Sequence, residues 1–272
     1  MDGIRTRDDE IPDRLTLHVG EEGRLFERAR QRPTPTELVV SPVELHQRNV
    51  QRRLREARLP NDAFRFADPV GLCTTVLEAA SRPTAAVDRV DRLSLIRSLL
   101  GPAESAVPAD LLLPTGVSSR DPRQVEQIRT EVEAITNFHP NRIAAWTETT
   151  AALDEPIGDE AEDLLDAGLG IERELRDRTT EAVSETALLR RATRSITATN
   201  GSAWAEAYPE IDRLTLLGLS SLSAPHTDLV NGLLTATSLA VDVHFREGTG
   251  EYLRRRVSDL LAVGDPGTEV FE

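Results

Sequence analysis

Between an apolar run, Leu15-Thr16-Leu17-His18-Val19, and a helical pattern starting at Leu25 lies the turn Gly20-Glu21-Glu22-Gly23-Arg24. A glycine-rich turn between strand and helix is where a chain can hold phosphate. Backbone N–H groups cradle the oxygens, a lysine neutralises them and a following hydroxyl holds magnesium, which sets the spacing Gly-x-x-x-x-Gly-Lys-Ser/Thr. Here Glu21 and Glu22 stand where phosphate oxygens would lie, and like charges at short range repel. Arg24 offers a cation, but no hydroxyl follows it, and all 32 cationic side chains of this chain are arginine. Nucleotide hydrolysis also needs a carboxylate at the end of a later strand to hold the metal. Leu216-Leu217-Gly218-Leu219 supplies none there, and Asp212 lies at the wrong end of that run. The expectation is a degenerate nucleotide loop with no cofactor, no catalytic residue and no ATP hydrolysis.

Three arginine groups carry the other chemistry. Arg48, Arg52 and Arg55 fall at i, i+4 and i+7 and share one helix face. Arg190, Arg191 and Arg194 form a second group, and Arg254, Arg255 and Arg256 a third. Guanidinium forks bind phosphate bidentately, so the first two groups are the candidates for nucleic-acid binding. The competing use is ion pairing with the many carboxylates. None of the five histidines, His18, His46, His139, His226 and His244, pairs with another at metal-ligand spacing, so no metal site is expected. His18 stands out because it ends a strand beside the degenerate loop. Gly218-Leu219-Ser220-Ser221 lacks the closing glycine of a nucleophile elbow. The acidic run Asp159-Glu160-Ala161-Glu162-Asp163 lacks the pattern of a calcium loop and reads as a solvated face.

Apolar runs predict strands at 15–20, 37–40, 64–66, 211–218 and 238–244. Helical periodicity predicts helices at 25–30, 43–57, 71–80 and 87–100, with Ser41 as cap and Pro42 at the first position of the second. Alternation of strand and helix implies βαβ units and a parallel sheet. Between Asp121 and about Thr199 only helical patterns occur, near 125–135, 143–153, 161–178 and 182–196. Further helices follow Ser223 and Glu251. The expected organisation is a disordered lead-in over 1–13, an α/β core from 14–104 and 206–272, and a helical insertion over 105–205.

The 272 residues carry 46 acidic side chains and a net charge of −14. Acidic chains without lysine resemble the proteins of haloarchaea, where at about 1 M salt the Debye length of about 3 Å screens carboxylate repulsion. The one cysteine, Cys73, excludes an internal disulfide and sits in an apolar helical stretch, as a buried thiol would. No apolar run is long enough to span a membrane and the charged N-terminus lacks a signal core, so a soluble cytoplasmic protein is expected.

The pieces LTLHVGEEGRLFERA, ELVVSPVELHQRNVQRRLREA, FRFADPVGLCTTVLEAA and VDRVDRLSLIRSLL, followed late in the chain by IDRLTLLGLSSLSAPHTDLVNGLL and SLAVDVHFREGTGEYLRRRV, run in a characteristic order. It resembles the first motor domain of superfamily 1 (UvrD- and RecB-like) helicases, in the degenerate form found in the AddB subunits of helicase–nucleases. The resemblance implies a P-loop NTPase-like α/β core and a non-catalytic helicase-like module for DNA recombination or repair. Such a module would bind single-stranded or forked DNA, or scaffold a helicase or nuclease partner. The nuclease domain of AddB chains, with its Glu/Asp-x-Lys core, is expected to be missing. The alternative is a protein-interaction module that kept the fold and binds no DNA.

Overall fold

The computed structural model describes residues 11–20, 23–31, 35–60, 62–101 and 121–271. Most of the expected lead-in, Glu21, Glu22 and residues 102–120 lie outside the described residues.

Five parallel strands form one sheet in the order β1-β5-β4-β2-β3, the order of a P-loop NTPase-like core. They are β1 (Leu15–Val19), β2 (Glu37–Val40), β3 (Arg65–Ala67), β4 (Arg213–Leu219) and β5 (Ala240–Phe245). Strands β2, β4 and β5 are buried along nearly their whole length. That is why their sequences read as continuous Val- and Leu-rich runs: helices cover both faces of a parallel sheet.

One face carries Leu38, Val40, Leu214, Leu216, Val241 and Val243. It packs against α3 (Pro69–Ala79), α8 (Glu185–Ala198), α9 (Ser202–Ala207) and α10 (Ala224–Ala236). Cys73 is buried in this layer, and burial pushes its thiol far above the ordinary range, leaving it inert. The opposite face carries Val39 and Leu217 under α1 (Gly23–Gln31) and α2 (Glu44–Glu56), with Leu25, Phe26, Val50 and Leu54 pressed onto it.

Helix starts follow side-chain chemistry. Asp68 caps α3 by accepting from the Gly71 N–H, and Pro69 occupies its first position. Ser184 caps α8 through the Ala187 N–H. Such caps satisfy donors that the helix leaves unpaired. Ser41 does not cap α2 as expected. Its Oγ accepts from the Val43 N–H at 3.3 Å in a turn ahead of the helix, its own N–H bonds the Ala67 carbonyl of β3, and the helix begins after Val43. The single helix expected from Glu251 divides into α11 (Gly250–Arg254) and α12 (Val257–Leu261).

The helical middle of the chain splits by packing. Helices α4 (Arg89–Leu100), α5 (Pro122–Thr136), α6 (Pro140–Thr150) and α7 (Ile157–Arg176) gather around Ile96, Val125, Ile171 and Leu175, and around Val132, Phe138 and Leu165. Helices α8 and α9 instead join the sheet core through Leu188, Ala192, Ile196 and Trp204.

A buried ionic network ties the two parts together. Arg129 of α5 bonds Glu126, Glu133 and Glu172 at 3.1, 3.0 and 3.0 Å. Arg190 of α8 reaches Glu133 at 3.2 Å and Glu269 at 2.8 Å. Arg194 reaches Glu269 at 2.8 Å, and Arg176 also pairs with it. Burial pushes the Glu269 carboxyl up, but Arg190, Arg176 and Arg194 outweigh it and hold the pKa at about 2. Glu133 is likewise held below its ordinary value by Arg129 and Arg190 against the effect of burial.

A depressed carboxyl pKa stabilises the fold above its unfolded value and stops doing so as pH falls through the folded one. Lowered from an ordinary value of 4.5 to about 2, Glu269 alone contributes about 3 kcal/mol at neutral pH. Stability should therefore fall between pH about 4.5 and about 2. An acid titration followed by circular dichroism checks this, and Glu269→Gln should flatten the profile in that window. An unchanged profile would remove Glu269 from the account.

Candidate functional site: the crevice at the strand ends

Open parallel sheets place ligand sites outside the carboxyl ends of their strands. Here β1, β4 and β5 end at a cavity of about 450 Å³, lined among others by Gly20, His46, Asn49, Gly218, His244 and Arg246. Gly20, Gly23 and Arg24, which the sequence suggested as part of a degenerate nucleotide loop, stand at the junction of β1 and α1, while Glu21 and Glu22 lie outside the described residues. Strand β4 ends on Gly218 and Leu219, with no carboxylate on its last four residues. Gly218 has φ +74°, and a Cβ there would lie 2.0 Å from His46 Nδ1. The His46 ring of α2 therefore closes over the position where the strand turns out of register between Leu217 and Leu219. Glycine is required twice at this position, by the left-handed backbone and by the ring against it.

Below this crevice, the sheet face under α1 carries buried polar side chains beside the apolar Val39 and Leu217. Arg28 of α1 forms a fork onto Glu37 at 2.9 and 2.8 Å, and Thr215 donates to the same carboxylate at 2.6 Å. Asp242 accepts from Arg213 on one oxygen and lies 2.8 Å from His18 Nε2 through the other. Burial pushes Asp242 up, yet the bonds from His18 and Arg213 hold it below the ordinary carboxylate range.

His18 and His244 are directly opposed across β1 and β5, and their rings stack at 4.2 Å between centroids with 27° between planes. Both are buried, His244 to 2% exposure. Neither His244 ring nitrogen has a hydrogen-bond partner among the described residues. Burial, then the charges of His18 and Arg28, lower its pKa to about 3, so it is a neutral imidazole at any physiological pH. It cannot serve as a general acid. It can accept a hydrogen bond or donate a lone pair to an ion. Among the described residues, His18, Asp242 and His244 lie close enough together to hold a metal.

Spacing along the chain missed this trio, because His18 and Asp242 are 224 residues apart. The one available signal was His18 ending a strand beside the loop.

The nucleic-acid candidates are not brought together. Arg48 and Arg52 lie on the exposed face of α2, each paired one turn away, with Glu44 at 2.5 Å and Glu56 at 3.3 Å. Arg55 is also exposed. Arg190 is 1% exposed and locked in the buried network. Arg254 and Arg256 pair with Glu251 and Asp259 on the surface.

Arg191 and Arg194 do share a groove, of about 540 Å³ between α3 and α8, and Arg82 joins them there with Thr180, Ser195 and Thr199. Among the described residues neither Arg82 nor Arg191 has a carboxylate within ion-pair distance, and Arg191 donates to the Glu181 carbonyl at 3.1 Å. Burial, then the charges of Arg176, Arg190 and Arg194, lower the Arg191 pKa, which marks positive potential in this groove. No helix of the described residues is long and apolar enough to cross a membrane.

No curated protein matches the sequence. The family model described as "Halobacterial UvrD-like protein" matches residues 1–272. That match over the whole length, together with the parallel sheet in P-loop NTPase-like order, means that the chain belongs to the halobacterial UvrD-like protein family.

Proposed function

We propose that this chain is a non-catalytic, AddB-like helicase module for DNA recombination or repair that binds single-stranded or forked DNA or scaffolds a helicase or nuclease partner. The observation that supports DNA binding is the Arg82–Arg191–Arg194 groove. In a chain of net charge −14, a cluster of guanidiniums, two of them without a carboxylate partner among the described residues, is poised for an external anion. Ser and Thr hydroxyls beside it suit phosphate oxygens. The missing lysine and the missing carboxylate at the end of β4 support the absence of ATP hydrolysis.

The test is fluorescence anisotropy with labelled single-stranded and forked DNA, begun in about 2 M KCl and continued downward while circular dichroism shows the fold intact. Arg82→Ala with Arg191→Ala should weaken binding and lower the salt slope by about 0.7 for each phosphate no longer neutralised. Arg48→Ala with Arg52→Ala should change little, since those side chains are held in exposed helix pairs. The wild type should show no DNA-stimulated ATPase rate.

A second reading is a protein-interaction module that binds no DNA. The pairing of Arg48, Arg52, Arg254 and Arg256 with neighbouring carboxylates favours it. Anisotropy that stays flat at every salt preserving the fold would select it.

A further inference from the structure

We propose that His18, Asp242 and His244 form a binding site for one first-row transition-metal ion of the zinc type. Pairing of β1 with β5 sets the two histidines opposite each other, and Asp242 lies two residues before His244 on the same face. One donor atom from each of the three lies within 4.8 Å of the others. His18 Nε2 and Asp242 Oδ1 are 2.8 Å apart in a hydrogen bond, and widening that contact to about 3.3–3.6 Å would put both atoms on a tetrahedral ion with bonds of about 2.0–2.2 Å.

The strongest pointer is His244. A neutral imidazole buried to 2% exposure with both nitrogens unbonded is a costly arrangement in protein alone. A metal on one nitrogen resolves half of it, and water in the adjoining cavity can meet the other. The stacked rings must open slightly to take the ion between their nitrogens. Two imidazoles and one carboxylate select zinc, cobalt or nickel over magnesium or calcium, which prefer all-oxygen shells.

The surroundings supply the rest of a site. Arg213 holds the second oxygen of Asp242, as outer-shell groups orient ligating carboxylates. His244 lines the cavity at the strand ends, which leaves room for water or another fourth ligand. Arg28 also faces the trio, with its charge met by Glu37. These cations place the expected affinity below that of a closed site of four protein ligands.

The experiment uses the full chain in high KCl after removal of metals by a chelating resin. Cobalt(II) is titrated and read by its visible ligand-field absorption, with zinc(II) added to displace it. One cobalt per chain with intense low-symmetry bands, bleached by zinc, is the expected result. His244→Phe keeps an aromatic ring stacked on His18 but removes the ligand. It should stay folded by circular dichroism and lose at least tenfold in cobalt affinity, and His18→Gln should do the same. Weak octahedral bands alone, or bands that persist unchanged in folded His244→Phe, would mean that the ion sits on surface carboxylates and would overturn the proposal.

Discussion

Arg129→Met should destabilise the protein by about 3–5 kcal/mol, the usual consequence of removing one partner from a buried ion pair. Against a total stability of about 5–15 kcal/mol this decides whether the chain folds at all. Arg129 is 1% exposed and bonds three carboxylates from two helices. Without it, Glu126 keeps Arg92, Glu133 keeps Arg190, and Glu172 keeps Arg176. Each carboxylate retains a cation, but the three lie close together in a region water does not reach. Urea denaturation in high KCl measures the loss. Adding Glu172→Gln should restore part of it, because one of the stranded negative charges goes with it. A loss below about 1 kcal/mol would mean that the network relaxes around the gap, and the tie between α5, α7 and α8 would need another explanation.

Lowering the salt should have a comparable effect without any substitution. On transfer from about 2 M to about 0.1 M KCl the screening length grows to about 10 Å, and most of the protein should unfold. The structure sharpens this expectation. Arg28–Glu37 and Arg142–Asp228 cancel inside the molecule, and Glu126, Glu133, Glu172 and Glu269 are met by Arg92, Arg129, Arg176, Arg190 and Arg194, so the acidic excess of the described residues is carried at the surface. Helix α7 alone exposes Asp159, Glu160, Glu162, Asp163 and Asp166. Like charges three or four residues apart on a helix repel. Thermal melts followed by circular dichroism across a KCl series test this. A midpoint that does not move with salt would show that surface repulsion is unimportant here. Full recovery in sucrose at low ionic strength would assign the effect to solvent exclusion instead of screening.

Most of the architecture was legible because it is written in local periodicity. Runs such as Glu37-Leu38-Val39-Val40 and Leu214-Thr215-Leu216-Leu217 are apolar on both faces, as strands between two helical layers must be. Asp88 and Asp121 open their helices as cap residues. The failures are also local in origin. Ser41 before Pro42 looks like a cap, but its Oγ closes a turn onto the Val43 N–H before the helix begins at Glu44, and its own N–H bonds Ala67 of β3, a partner that the sequence does not show. Helix α9 is too short for periodicity to register and is held by Trp204 and Tyr208 against the sheet core. The candidate site was legible only in part. Gly20 and Gly218 frame it from the ends of β1 and β4, which the sequence marked, whereas His46 and His244 entered through packing.

The sequence by itself determined that the chain has no lysine for a phosphate loop and no carboxylate within Leu216-Leu217-Gly218-Leu219. Those are questions of residue identity at positions fixed by neighbouring residues, so no fold is needed to answer them. The tertiary structure decided what each charged or ligating side chain does instead. Arg190 and Arg191 are adjacent and identical in type, yet one is buried among Glu133 and Glu269 while the other faces a groove. His18 and His244 become neighbours only because β1 pairs with β5 in that register. Electrostatic partnership and metal ligation depend on distances of a few ångströms in space, and chain separation carries no information about those once strands pair across the whole length of the sequence.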